Sequence, residues 1–324
     1  MGLPSYAKVL TVFTLILALL GSVGVFTYNV VDFERHLHRL AKAANEDRQQ
    51  GEDNPVDNPV ENPVPEIIPI RIMFIGASIT RGEVSTGDRG YRKYIRDTLI
   101  ANGSAVNCVG FNRFGDWEDN DVEGYGANRI RTITKHARQS VPALQPNLIL
   151  VQVGTSDCFQ EDDIDFIGSR MRTLADTMLE AAPGTTVILS TLVTTPHPDH
   201  EPCIVAANTQ IRKIADDLVR ANKSVTLAEM HYDQGLPGRP RPEDIGADRI
   251  HPTDEGYIMM GDIFLESIKE VNAKGFLQRA ANNSIPDNGD DGREVEDELK
   301  AKAEAEHPIK LKLRRAALES DMIR

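Results

Sequence analysis

The sequence predicts a three-layer α/β/α sandwich built around about five parallel strands. Two observations indicate this fold class. Short, continuously apolar runs recur from Ile67 to about Phe276, and each is followed by a longer segment of helical character. Regular alternation of strand and helix is typical of parallel strands joined by crossover helices. Continuous apolar runs of this length suit strands that are buried on both faces of the sheet.

The elements follow from that alternation. The predicted strands are Ile70–Ile75, Ala105–Gly110, Leu148–Val153, Thr186–Val193 and Val225–Met230. The predicted helices between them are Arg92–Asn102, Arg129–Val141, Asp163–Ala182, Ala206–Ala221 and Asp254–Asn272. Pro183 and Gly184 end the third helix, because proline cannot continue a helix and glycine favours its end. Ligands of open parallel sheets bind at the carboxyl ends of the strands, so we expect the functional residues there.

The first 30 residues predict a membrane-spanning segment. Val9–Tyr28 contains no charged residue, and Lys8 precedes it. About twenty apolar residues span a bilayer as a helix, whereas the core of a signal peptide has roughly 7–15. We favour an uncleaved signal anchor over a cleaved signal peptide or a buried core helix. The following domain would then be anchored in the secretory pathway or at the cell surface, on the lumenal or extracellular side, or secreted if the segment is cleaved.

Composition divides the rest of the chain into three parts. Residues 31–66 combine a short amphipathic helix with three Asn-Pro-Val repeats that begin after Asp53, Asp57 and Glu61, and such proline density favours an extended linker. Residues 67–276 carry the strand–helix alternation. Residues 277–324 form a charged, partly helical or disordered tail, with too few large apolar residues for a core of their own.

Charge and cysteine content restrict the function and the compartment. The formal net charge of −13 argues against a nucleic-acid partner, which requires a basic surface. Cys158 and Cys203 both follow predicted strands at the same edge of the sheet, so we expect them to form a disulfide, and Cys108 lies inside a strand as a buried thiol. Candidate glycan acceptors in a secretory protein are Asn102, Asn222 and Asn282.

Ser78 is the candidate nucleophile. It follows the first strand through Gly76 and Ala77, small residues that permit a tight turn into a helix. Such a turn exposes the hydroxyl and directs backbone N–H groups at a forming oxyanion. Judged locally, a helix N-cap is the alternative role for this serine. The pentapeptide Gly-x-Ser-x-Gly is absent, since Thr80 follows Ile79, which argues against the nucleophile elbow of α/β-hydrolases.

Asp248 and His251 are the candidate activating pair. They lie three residues apart in a loop that follows the last strand, and Pro252 leads from it into the last helix. The aspartate can accept a hydrogen bond from one ring nitrogen and fix the tautomer, which leaves the other nitrogen free to take the serine proton. An ordinary surface loop with an N-cap is the local alternative.

Polar residues follow two further strands. Gly154-Thr155-Ser156-Asp157 ends the third strand and can supply hydrogen-bond donors, although an Asx-type turn explains it equally well locally. His197 and His200 lie in a proline-rich loop that also leaves a strand's carboxyl end. They suggest metal ligands only weakly, and we expect a solvated loop at the entrance of the site. The sequence has no phosphate-binding glycine-rich loop or zinc-type cysteine spacing, so we expect no metal and no cofactor.

Together these segments resemble one family, the SGNH (GDSL-like) hydrolases, over roughly Ile70 to Ile268. Gly76-Ala77-Ser78 is similar to the nucleophile block, with alanine where aspartate is usual. Glu123-Gly124-Tyr125-Gly126-Ala127 is similar to the glycine block, Gly154 to Asp157 to the Gly-Thr-Asn-Asp block, and Asp248 to Pro252 to the Asp-x-x-His-Pro block. The residues of the middle blocks most resemble those of the fungal branch that is similar to acetylxylan esterases of carbohydrate esterase family 3.

The resemblance implies a flavodoxin-like SGNH fold and a role for each residue. Ser78 would be the nucleophile, His251 the base and then the acid, and Asp248 its orienting partner. The oxyanion hole would comprise the N–H of Ser78, a backbone N–H of Gly124 or Gly126, and the side chain of Ser156. Two departures affect that hole: Ser156 replaces the family's asparagine, and a gap-free match places Ala127 where glycine is usual.

The resemblance therefore implies a cofactor-independent serine esterase that hydrolyses small acyl esters, most plausibly O-acetyl groups on a carbohydrate. A lipid esterase is a second enzymatic interpretation. A non-catalytic glycan-binding or scaffold domain on a membrane stalk is the interpretation from another class, and Ser156 is the residue that favours it.

Overall fold

The computed structural model of the chain describes residues 67–291 and 293–307. The strands are β1 (Ile70–Gly76), β2 (Val106–Cys108), β3 (Asn112–Arg113), β4 (Asp121–Gly124), β5 (Leu148–Gln152), β6 (Thr186–Ser190) and β7 (Val225–Ala228). The α-helices are α1 (Ser78–Arg81), α2 (Gly90–Ala101), α3 (Ile130–Leu144), α4 (Thr155–Phe159), α5 (Ile167–Ala181), α6 (Glu201–Arg220), α7 (Asp254–Ala273) and α8 (residues 294–307).

The five strands predicted from apolar runs are present as β1, β2, β5, β6 and β7, and all of their pairings are parallel. The five predicted helices are present as α2, α3, α5, α6 and α7. The largest difference in bounds is at α6, which begins at Glu201 rather than Ala206. Pro202 lies in its first turn, where the missing N–H of proline is tolerated.

The sheet is mixed, which corrects the expectation of a purely parallel one. Its order is β3-β4-β1-β5-β6-β7, and β2 also pairs with β1. β3 and β4 are antiparallel to each other, while β4 runs parallel to the end of β1, where Gly124 pairs with Gly76. The sequence did not indicate this pair because β3 has only two residues and β4 contains buried acids, Asp121 and Glu123, instead of an apolar run.

Two apolar cores, one on each face of the sheet, make the three layers. Successive residues of a strand point to opposite faces. Met73 and Ile75 of β1 therefore pack with α3, α5 and α6, whereas Ile72 and Phe74 pack with α2 and α7. Because helices cover both faces, the polar residues at the carboxyl ends of the strands meet at one uncovered rim.

The described residues after Phe276, 277–291 and 293–307, pack against the domain, where the sequence indicated a charged, partly helical or disordered tail. Arg71 of β1 is buried, and its guanidinium donates to the carbonyls of Ala281 and Ile285. On α8, Lys300 donates to the carbonyl of Phe111 at 2.5 Å, and Leu299 packs on the first core. The segment needs no core of its own because it supplies polar partners to buried groups of the sheet. The domain boundaries themselves stay a prediction.

The predicted anchor at residues 1–30 and the linker at residues 31–66 lie outside the described residues. Among the residues that are described, no helix is long and apolar enough to span a bilayer. Anchoring in a membrane therefore stays a prediction.

Candidate active site

The carboxyl ends of the strands surround a cavity of about 410 Å³. Its walls come from the segments that follow β1, β4 and β5 and from the loop that precedes α7, which are the segments that the sequence marked as polar. The lining residues include Ala77, Ser78, Arg81, Gly126, Ala127, Gln152, Gly154, Thr155, Ser156, Phe159, Ile250 and His251. The structure thus brings the candidate nucleophile and the candidate base to one cavity.

Ser78 is the first residue of α1, directly after the turn from β1, and is half-buried. Thr80, two residues later, fixes this turn, because its hydroxyl donates to the carbonyl of Gln152 in β5 at 2.8 Å. The hydroxyl of Tyr91 in α2 lies 3.1 Å from the same Thr80 oxygen. This buried chain of hydrogen bonds links the turn that carries Ser78 to the sheet. The sequence motifs did not indicate a role for Thr80.

Asp248 orients His251 through three hydrogen bonds. The ring Nδ1 lies 2.6 Å from Asp248 Oδ2, and the N–H groups of Ile250 and His251 both donate to Oδ1 at 3.0 Å. Burial raises the pKa of Asp248, but these hydrogen bonds outweigh it and hold the pKa below its ordinary value. The carboxylate therefore stays ionised and keeps a proton on Nδ1.

The other ring nitrogen of His251 is available to the cavity. His251 Nε2 is buried and has no hydrogen-bond partner among the described residues. The loop that carries it is closed by the N–H of Gly246, which donates to the His251 carbonyl at 2.7 Å, and by the hydroxyl of Thr195, which donates to the carbonyl of Arg249. An imidazole held in this way presents a basic nitrogen to a group bound beside Ser78.

The segment after β5 divides into two roles. Ser156 lines the cavity. Asp157 is fully buried and points into the protein, where its carboxylate accepts from the N–H of Ile130 at 3.0 Å and pairs with Arg170 at 3.1 Å. Asp157 therefore joins α3, α4 and α5 rather than contributing a donor to the cavity.

The glycine block differs from the expectation for Gly124. Gly124 lies inside β4 and lines a neighbouring depression of about 250 Å³, whereas Gly126 and Ala127 line the main cavity. Ala127 has a φ of 57°, a left-handed conformation that favours glycine. This strain marks Ala127 as the position that the family's glycine occupies in a gap-free match. Of the two glycines expected to supply a backbone donor, Gly126 lines the main cavity and Gly124 does not, and the role of either stays a prediction.

Phe159 lines the cavity, and two histidine rings from the loop before α6 pack against it. The ring of Phe159 stacks on His200 with centroids 4.1 Å apart, and His197 lies edge-on to Phe159 at 6.0 Å. The two histidines therefore form an aromatic cluster with Phe159, and their place at the entrance of the site stays a prediction. Within the described residues, no cluster of three histidine, cysteine or acidic side chains is arranged to hold a metal ion.

A disulfide lies next to this aromatic cluster in the sequence. Cys158 of α4 bonds to Cys203 of α6, which confirms the predicted pairing, and Cys108 is a buried free thiol, as predicted. Cys158 directly precedes Phe159, and Cys203 lies three residues after His200. The disulfide therefore links α4, which carries Phe159, to the first turn of α6.

Comparison with known families identifies this arrangement. Residues 74–258, more than half of the chain, match the GDSL-like Lipase/Acylhydrolase family. The chain therefore belongs to this family, which confirms the resemblance predicted from its four motif blocks.

Relatives of known name agree with that assignment. The multidomain esterase of Ruminococcus flavefaciens is 28% identical in an alignment 260 residues long, which covers 70% of this chain and 32% of that protein. The chain thus spans about a third of the length of that relative. Solved structures of family 3 carbohydrate esterases from Clostridium thermocellum and Talaromyces cellulolyticus superpose with TM-scores of 0.55 and 0.54. Each covers 63% of this chain, and the described chain covers 98% and 99% of them, at 22% and 20% identity. At these identities the likeness shows the SGNH fold alone.

Proposed function

We propose that this chain is a serine esterase that removes small acyl groups through an acyl-enzyme. The observation that carries the proposal is the state of the His251 ring: Nδ1 is bonded to Asp248, Nε2 is buried and has no partner among the described residues, and the residue lines the same cavity as Ser78. A buried ring nitrogen without a partner is uncommon in a folded protein and indicates a group that a substrate or a nucleophile completes.

The chemistry follows from these positions. Ser78 Oγ attacks the ester carbonyl carbon while His251 Nε2 takes its proton, and Asp248 stabilises the imidazolium. The carbon–oxygen bond to the alcohol breaks, and His251 returns the proton to the departing alcohol oxygen. A water molecule then attacks the acyl-serine and gives a proton to Nε2. Collapse releases the carboxylic acid and restores the Ser78 hydroxyl.

The lining of the cavity supports a small acyl group. The small residues Ala77, Gly126, Ala127 and Gly154 line the same cavity of about 410 Å³ as Ser78. The two solved structures named above are family 3 carbohydrate esterases, so we propose an O-acetylated carbohydrate as the substrate class, with Phe159, on which His200 stacks, against the alcohol portion of the ester.

The test is acetate release by the full chain from acetylated xylo-oligosaccharides and from p-nitrophenyl esters of increasing acyl length. Turnover should fall at least about 10³-fold in Ser78→Ala, whose folding is checked by thermal unfolding. A preference for acetyl over octanoyl esters supports a small acyl group, and the reverse preference would identify a lipid esterase. Folded protein that shows no Ser78-dependent turnover would instead point to a glycan-binding domain.

A further inference from the structure

The side-chain amide of Gln152 is unpaired at the cavity. Gln152 is the last residue of β5, is only 1% exposed and lines the cavity. Its Nε2 is buried and donates to no described residue. A buried amide without a partner loses its hydrogen bonds to water and gains none in exchange, so folded proteins rarely retain one.

Neighbouring amides make the contrast clear. Gln160, which lines the same cavity, donates from Nε2 to the carbonyl of Ala127 at 2.8 Å. Asn128 donates from Nδ2 to the carbonyl of Gly126 at 3.2 Å. Both of these amides support the backbone of the Gly126–Ala127 turn, whereas the amide of Gln152 supports nothing in the described protein.

The backbone of Gln152 is held beside the nucleophile. It pairs with Gly76 in the register of β1 and β5, and its carbonyl accepts from Thr80, two residues after Ser78. Rotation about the terminal bond of the side chain exchanges its nitrogen and oxygen, so the NH₂ group can face the cavity without movement of the strand. The amide is thus anchored at a fixed position near the reacting serine.

Ser156 explains why such an amide would be needed. A serine hydroxyl is shorter than an asparagine side chain and carries one donor rather than two. The cavity therefore lacks the asparagine amide at this position, while the unpaired amide of Gln152 approaches the same cavity from four residues earlier in the chain.

We propose that Gln152 donates its side-chain N–H to the ester carbonyl oxygen as that oxygen gains negative charge, and so takes over from Ser156 in the oxyanion hole. This inference rests on the proposed esterase function. A donor of this kind acts on the transition state more than on the bound ester, so its loss lowers kcat more than it raises KM.

A double-mutant cycle on the full chain tests the proposal with p-nitrophenyl acetate. Gln152→Met keeps the length of the side chain and removes the amide. It should lower kcat by roughly 10²-fold in the wild-type background and by less than about tenfold in the Ser156→Asn background, where an asparagine amide is restored. Gln160→Met is the matched control, since it removes a satisfied amide of the same cavity. Its effect should be the same factor in both backgrounds.

Stability separates this role from a structural one. Because Gln152→Met removes an unsatisfied buried amide, its unfolding temperature should equal or exceed that of the wild type while kcat falls. Equal loss of kcat in both backgrounds, or a lowered unfolding temperature that accompanies the loss, would overturn the proposal and leave the esterase intact. Absence of Ser78-dependent turnover from both the wild type and Ser156→Asn would overturn the esterase and this inference together.

Discussion

Gly76 and Gln152 approach each other so closely that no side chain fits between them. They are partners in the register of β1 and β5, and a Cβ on Gly76 would lie 2.0 Å from the carbonyl oxygen of Gln152 and 2.2 Å from the hydroxyl of Thr80. This contact explains physically why a glycine stands two residues before Ser78. The end of β1 must press against β5 so that the Thr80 hydroxyl can reach the strand.

Gly76→Ala should therefore damage both folding and activity. Relief of the clash requires β1 to move away from β5, which breaks the Thr80 hydrogen bond and displaces Ser78. We expect a loss of about 1–3 kcal/mol in the free energy of unfolding and a fall in kcat larger than the loss of folded protein explains. Denaturant unfolding and ester turnover check this. Gly168→Ala in α5 is the control, because its added methyl would meet the side chains of Gln210 and Ile214 rather than backbone, and it should stay closer to the wild type in both measurements.

Asp248→Asn should leave the protein folded and nearly inactive. An amide can still accept from the backbone N–H groups, but it presents its own N–H to Nδ1 and so favours the wrong tautomer of His251. We expect kcat to fall by roughly 10³–10⁴-fold with little change in KM. Asp254→Asn, six residues on, is the control, because its carboxylate accepts from Thr86 instead. Activity of Asp248→Asn within tenfold of the wild type would contradict the orienting role.

The fold could be predicted from the sequence wherever the burial of a strand requires apolar residues. Strands such as Ile70–Gly76 are apolar except for Arg71 because helices cover both faces, so their apolar runs located them. β4 was not predicted because Asp121 and Glu123 are buried through hydrogen bonds and ion pairs, which leave no apolar pattern in the sequence. The packing of the segment after Phe276 was not predicted for the same reason, since it depends on hydrogen bonds from the guanidinium of Arg71.

The candidate site shows the same division. The sequence located Ser78, Asp248 and His251, because strand ends and short-range spacing determine which rim they reach. It could not choose between Gly124 and its neighbours, since only the backbone conformation places Ala127 at the cavity. Gln152 could not be found at all. Its side chain lies within a run that serves as a strand, and an unpaired amide is visible only when every possible partner has a position.

The Cys158–Cys203 disulfide should contribute substantially to stability. It joins residues 45 apart in the sequence and links α4 to α6 beside the cavity. Closure of a loop of this length restricts the unfolded chain, so replacement of both cysteines by alanine should lower the free energy of unfolding by roughly 2–4 kcal/mol. Urea unfolding with and without a reductant measures it. The reductant should destabilise the wild type and Cys108→Ala but not the double variant, and a wild type insensitive to complete reduction would contradict the prediction.

Glu123 should make stability depend on pH. Its carboxylate is fully buried, accepts from the N–H of Phe111 at 2.9 Å and from the hydroxyl of Tyr125 at 2.8 Å, and is approached by the charge of Lys300 on α8. Burial dominates and raises the pKa to about 7, compared with 4.5 for an ordinary glutamate. Between these values the folded protein binds a proton that the unfolded chain has released. The free energy of unfolding contributed by this residue is therefore present below about pH 4.5 and is lost as the pH rises through about 7.

Glu123→Gln should remove that dependence, because the amide keeps the shape of the side chain and does not titrate. The slope that the wild type shows and the variant lacks should be at most about 1.4 kcal/mol per pH unit, with the variant relatively more stable at pH 8 than at pH 5. Chemical unfolding from pH 4 to pH 8 measures both curves, and their difference excludes other buried acids such as Asp119. Glu255→Gln on the exposed start of α7 is the control and should give a curve parallel to the wild type. A parallel curve for Glu123→Gln as well would show that this carboxylate does not take up its proton on folding.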